Sequence, residues 1–205
     1  MRDCDAKSIQ AIRMPTIEQV TKQLRTDPNW FTKCMLGVLL SVIPIIHFFA
    51  FGYLYRLFQQ GRRQTPLEMP EWEDWKGLFV DGAKFFLISL IFAGVPIGLM
   101  TWLMKLLPWE SFLAAVPMVP VYFFAGPLTG AALFMYLLKK DFRNCFNFDA
   151  LMGLLRKTFP VYWAPTLAYL GFTLMLPFAY FFGSTLYLYL MGYLFKNAQL
   201  GADRQ

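Results

Sequence analysis

The sequence predicts an all-α integral membrane protein with about five membrane segments, the first either spanning or re-entrant, plus amphipathic helices at the interface. Three observations predict it. The 205 residues are 57% hydrophobic and 16% charged, with a mean hydropathy of +0.43, outside the usual soluble range. The apolar residues gather in four runs without Asp, Glu, Lys or Arg, at 34–55, 85–104, 111–138 and 158–195, each at least as long as the roughly 20 residues a membrane helix needs. All 19 basic and 13 acidic side chains lie outside these runs.

Residues 1–33 form an interfacial or cytoplasmic arm, and 34–205 a single membrane domain. The arm holds six basic and four acidic residues and lacks the apolar core of a cleavable signal. Thr16 is a candidate N-cap and Gln19 completes a capping box, after which Ile17, Val20 and Leu24 fall at helical spacing. This predicts a short amphipathic helix on the membrane surface.

The first apolar segment, 34–55, contains Pro44 and has two readings. As a single kinked span it would put the six basic residues before it and the five of 56–84 on opposite sides, against the positive-inside rule. As a re-entrant hairpin turning near Pro44 it keeps both on one side. The link that follows opens with Gly61-Arg62-Arg63 and ends in an expected interfacial helix. There Trp72, Trp75, Phe79 and Phe86 share one face and the first three are the membrane anchors, while Glu73, Asp74, Asp81 and Lys84 face water.

Segments 85–104 and 111–138 each carry a GxxxG spacing, Gly94 with Gly98 and Gly126 with Gly130. Small residues at that spacing let helices approach closely in lipid. Packing within the chain, a partner interface and chance all remain open, since each motif also holds a proline. The 38-residue run 158–195 would make a helix of about 57 Å, nearly twice the hydrocarbon thickness of about 30 Å. It therefore divides at Pro177 into segments 158–176 and 177–195. A weak repeat supports this: Pro120–Lys139 aligns without gaps on Pro177–Lys196, matching Phe124, Gly126, Leu133, Tyr136 and Leu137 to Phe181, Gly183, Leu190, Tyr193 and Leu194.

The net charge of +6 follows topology. Residues 139–157 hold five basic and two acidic side chains, whereas the short loop 105–110 is neutral. That bias implies contact with anionic lipid headgroups on the cytoplasmic side and no nucleic-acid partner. Cys4, Cys34 and Cys145 are odd in number and far apart, which reads as free thiols and neither a disulfide nor a zinc site. No cofactor is implied. His47 is the only ionisable side chain within a run that could ligate a pigment or haem, with a hydrogen-bonding histidine as the default. Asp74 and Asp81 could pair as carboxylates, but neighbouring Lys76 and Lys84 favour a solvated face. The sequence carries no HExxH, phosphate-binding loop or GxSxG elbow.

Several blocks resemble a family of bacterial and archaeal membrane proteins, domain-of-unknown-function family 4013. They are Asp27-Pro28-Asn29-Trp30, Ile43-Pro44-Ile45-Ile46 with Gly52-Tyr53-Leu54, and Pro70-Glu71-Trp72-Glu73-Asp74-Trp75 with Leu78 to Lys84. Phe146-Asn147-Phe148-Asp149 is similar to the family's loop before its last membrane pair, while Lys157-Thr158-Phe159-Pro160 fits only loosely. The resemblance implies an architecture and a cytoplasmic-membrane location, and no activity. The functional expectation is a non-enzymatic accessory or scaffold subunit with other membrane protein subunits as partners. The alternative is a small oligomeric transporter or lipid-handling protein. Charge-free runs disfavour an ion-coupled pathway within one chain.

Overall fold

The computed structural model describes residues 15–106, 116–173 and 177–202, which are helical with no strand among them. The α-helices are α1 (Ile17–Thr26), α2 (Trp30–Val42), α3 (His47–Arg63), α4 (Trp75–Ser89), α5 (Val95–Leu106), α6 (Met118–Lys139), α7 (Phe148–Thr173) and α8 (Pro177–Ala202). Residues 1–14 of the arm, Cys4 included, and the start of segment 111–138 lie outside the described residues. Among the described residues, two helices are long and apolar enough to cross a membrane, the continuous rod Trp75–Lys105 and α6.

The capping box predicted for the arm forms, with the Thr16 N–H donating to Gln19 Oε1 at 3.0 Å. Val20 and Leu24 are fully buried, however, because α1 turns its apolar face onto α2 and α8. Protein covers Val20 and Leu24, while Ile17 on the same face stays 38% exposed.

Segment 34–55 is broken at its proline. Pro44 has no N–H to donate and disfavours helix at the residue before it, so α2 stops at Val42 and α3 begins at His47. Lys33, near the start of α2, bonds the Met69 carbonyl, three residues from Trp72, which stacks on Tyr53 in the middle of α3. The two helices thus fold back as a hairpin. Its tip is apolar and bare: Val42 is 71% and Ile45 74% exposed.

The expected interfacial helix is corrected in two ways. Residues 70–74 are not helical, because Asp74 is the N-cap, its Oδ1 accepting from the Gly77 N–H at 3.0 Å. The helix starting at Trp75 then runs without a break into the apolar segment, forming a rod of 31 residues. A π turn at Leu90–Gly94 interrupts its register. Pro96 explains that turn, since it cannot donate to the Phe92 carbonyl and a wider turn takes up the mismatch.

Helix α3 is the centre of the molecule, packed between α4 on one side and α8 on the other. Tyr53, Leu57 and Phe58 of α3 are buried there with Phe181, Met191, Leu194 and Phe195 of α8. Helix α8 is described from Pro177 onward. Helices α3, α6 and α8 run in the same direction, as successive contacts show: Tyr53 to Phe181 and Gln64 to Asn197 for α3, and Gly126 to Tyr187 and Phe134 to Phe195 for α6. Arg62, Arg63, Lys139 and Lys196 therefore gather at one end. Lys105 lies at the last turn of the antiparallel α5.

Candidate functional site

The charged groups around the α2–α3 hairpin are spent on one another. Lys33, only 6% exposed, bonds Asp27 at 2.7 Å, the Met69 carbonyl at 3.2 Å and Glu71, tying the start of α2 to the link before α4. One turn beyond the middle of α3, Arg56 reaches Asp74 at 2.6 Å and Asp81 at 3.7 Å, and Lys84 bonds Asp81 at 3.0 Å. Asp74 and Asp81 are thus bridged by an arginine and are not a paired-carboxylate site.

Burial opposes the Asp27 charge, but the Lys33 ammonium and the Asn29 N–H outweigh it and hold the carboxyl below its usual value. Burial also opposes the Lys33 charge, and its bonds to Asp27 and Glu71 reverse that and raise its value. Asp74 is held low by the Gly77 N–H first and by Arg56 second. Burial pushes the Cys145 thiol up to about 11, and it donates to the Ala132 carbonyl at 3.4 Å, so it is a protonated packing group and a poor nucleophile. Cys34 and Cys145 are both free and buried.

The glycines that set helix spacing are mostly not those of the GxxxG motifs. A β-carbon on Gly98 would meet nothing within 4 Å, and one on Gly94 would meet chiefly its own helix's Leu90. Gly126 and Gly130 do face α8, where a β-carbon would lie 2.8 Å from Tyr187 Oη and 3.2 Å from Phe195. The tightest crossings are elsewhere. A β-carbon on Gly52 would overlap the Leu78 carbonyl oxygen and one on Gly82 the Phe48 carbonyl oxygen, so α3 and α4 touch backbone to backbone. Gly61 and Gly192 do the same between α3 and α8, against Tyr189 and Phe58. The repeated Gly-Tyr-Leu at 52–54 and 192–194 was the available signal for two of these four.

His47 opens α3 and closes the hairpin turn. Its Nδ1 lies 2.7 Å from the Ser41 carbonyl oxygen, and its ring meets Phe51 edge-on at 4.1 Å. Among the described residues, no three His, Cys, Asp or Glu side chains converge on one point. Trp72, expected on one face with Trp75 and Phe79, is instead buried on Tyr53 with ring centres 4.3 Å apart, because it precedes the helix. Trp75 and Phe79 are 43% and 39% exposed and pack edgewise on and beside Phe49.

A cavity of about 440 Å³ opens between α3, the α4–α5 rod, α6, α7 and α8. Phe51, Leu54, Phe85 and Leu188 give it apolar walls, and Ser89, Thr129, Ser184 and Tyr187 give it hydroxyls, with no charged side chain in the lining. Ser89 and Ile97 reach it from either side of the π turn and Ala93 from within it.

Among the described residues, fold and site together define an all-helical protein with two helices apolar enough for a bilayer, a hairpin stapled by ion pairs, and an uncharged cavity in the bundle. The chain belongs to the family described as "Protein of unknown function (DUF4013)", whose model matches residues 35–190. No curated protein and no solved structure matches it.

Proposed function

We propose that this chain is a multi-pass protein of a bacterial or archaeal cytoplasmic membrane that works without catalysis, as an accessory or scaffold subunit of a larger membrane complex. The observation that carries this reading is the Trp75–Lys105 rod, apolar yet with only 11% of its most apolar stretch buried inside the protein. Leu99 and Trp102, 62% and 59% exposed, belong to a face that water would not tolerate over this length and that lipid or a partner helix covers. The charged groups near the hairpin support it too, since they staple helices and leave none aimed into the cavity. In this reading α2 and α3 re-enter from the cytoplasmic side, because α2 rises only about 20 Å against a core of about 30 Å. The α4–α5 rod, α6, α7 and α8 cross, and the basic end meets anionic headgroups.

The test is purification in mild detergent at native expression, followed by mass spectrometry of what accompanies the protein. Other membrane subunits in fixed stoichiometry are expected; a monomer without them overturns the subunit role. The cavity favours the second reading, a small oligomeric lipid-handling or transport protein. That reading requires purified protein in liposomes to move or bind a defined solute or lipid, and inert vesicles refute it.

A further inference from the structure

Serine and threonine hydroxyls inside helices ordinarily donate to the carbonyl four residues back, which satisfies them where no water reaches. In this chain Ser41, Thr101, Thr158, Thr166, Ser184 and Thr185 all do so, at 2.7 to 3.0 Å. Thr129 does not. It is 7% exposed, its Oγ1 is buried without a hydrogen-bond partner, and it lines the 440 Å³ cavity. Tyr187 Oη, on a residue 4% exposed in the same wall, is likewise without a partner. The neighbouring Thr166 hydroxyl gives its proton to the Tyr162 carbonyl at 2.8 Å, and Tyr187 Oη meets no partner at hydrogen-bond distance and angle. A buried hydroxyl left unpaired is costly, and two in one cavity define a pair of donors without an acceptor.

The walls limit what can supply that acceptor. They are aromatic and aliphatic and carry no charge, so a phosphate, carboxylate or ammonium would lose its hydration with nothing to replace it. The volume falls within the range of about 300–1,000 Å³ typical of small-molecule sites. The π turn that brings Ala93 to the wall is a distortion frequent at functional sites. Small side chains at Ala93 and Ala125 leave room in the lining.

We propose that this cavity is a binding site for a neutral lipid chain bearing a carbonyl oxygen, with the chain along the apolar walls and the carbonyl accepting from Thr129 and Tyr187. The chemistry is shared by the ester of a membrane glycerolipid and the ketone of a prenyl lipid. It goes beyond the subunit reading, which needs no ligand.

The test uses the full chain in vesicles of phosphatidylethanolamine and phosphatidylglycerol. One preparation carries a diazirine-tagged acyl phospholipid and the other a diazirine-tagged prenyl ketone, each photolysed and mapped by peptide mass spectrometry. Label is expected on residues 122–129 and 184–188 from one of the two probes, which identifies the source. Thr129→Val and Tyr187→Phe each reduce it about five-fold, the factor for one neutral hydrogen bond. Label on the outer face at Leu99 to Leu103 stays unchanged. Ala93→Leu, which fills the cavity and touches neither hydroxyl, abolishes the inner label. In lipid-stripped detergent Thr129→Val and Tyr187→Phe melt no lower than wild type, since each removes an unpaired group. Inner label absent from both probes, or unaltered by all three substitutions, overturns the site. Whether protein partners copurify does not enter this result, so the two proposals fail separately.

Discussion

Replacing Gly52 by alanine tests the α3–α4 crossing directly. The new β-carbon would overlap the Leu78 carbonyl oxygen, which belongs to backbone and cannot rotate away as a side chain would. The helices must separate by about 1 Å, enough to forfeit a quarter to a half of the dispersion energy at the atoms parted. Overpacking costs about 1–3 kcal/mol, and a backbone obstacle puts Gly52→Ala at the upper end. Alanine's helix propensity offsets about 1 kcal/mol of that. The net loss of about 2 kcal/mol lowers the melting temperature by about 4–8 °C in a chain of this size. Thermal unfolding in mild detergent, followed by tryptophan fluorescence, measures it. Gly98→Ala is the internal control: its β-carbon meets nothing within 4 Å, so it leaves stability unchanged or raises it. A Gly52→Ala protein as stable as wild type, or a Gly98→Ala protein equally destabilised, refutes the packing argument.

Lys33→Met removes the cation that both Asp27 and Glu71 contact and should cost about 1–2 kcal/mol in chemical denaturation, less than a fully buried pair because Glu71 is mostly exposed. The same contacts set a pH window. Asp27 and Asp74 are lowered from 3.8, so their contribution is complete above that value and lost as pH falls through the folded values; Lys33 is raised from 10.5, so its contribution is complete below 10.5 and lost as pH rises further. Melting temperature should therefore be flat between about pH 4.5 and 9.5 with respect to these groups, and Lys33→Met should flatten the alkaline fall. For the hairpin, single cysteines replacing Asn29 and Gln59 in a Cys4→Ser background should react with an impermeant maleimide only in inverted vesicles. Labelling of the two from opposite sides would mean that 34–55 spans once.

Features fixed by local chemistry were legible in the sequence. The capping box at Thr16 and the break at Pro44 each follow from what one or two residues can donate or accept. The charge-free runs also located the apolar stretches of the α4–α5 rod and α6. What was missed depends on pairing across the bundle. A GxxxG search finds glycines spaced along one helix, whereas Gly52 meets Gly82's helix and Gly61 meets Gly192's, so neither pair has a spacing to find. Aromatic periodicity placed Trp72 on a helical face but could not show that Asp74, as N-cap, starts the helix after it. The unpaired hydroxyl of Thr129 is invisible in sequence for the same reason, since its ordinary partner lies four residues back and only the fold reveals that it is unused.

The glycine crossing and the ion pair beside it form one device. Arg56 lies one turn after Gly52 on α3, and Asp74 one turn before Leu78 on α4; the helices are antiparallel, so both pairs face the same seam. Contact of Gly52 with the Leu78 carbonyl is what brings Arg56 within 2.6 Å of Asp74 and 3.7 Å of Asp81. Asp74 is solvent-exposed, and an exposed pair held loosely would contribute little. Opening the crossing should therefore weaken the bridge before any charge is removed. In a double-mutant cycle, Asp74→Asn should cost less in the Gly52→Ala background than in wild type. Additive losses would mean that the backbone contact and the bridge are independent, and that the Leu78-to-Lys84 block serves two separate purposes.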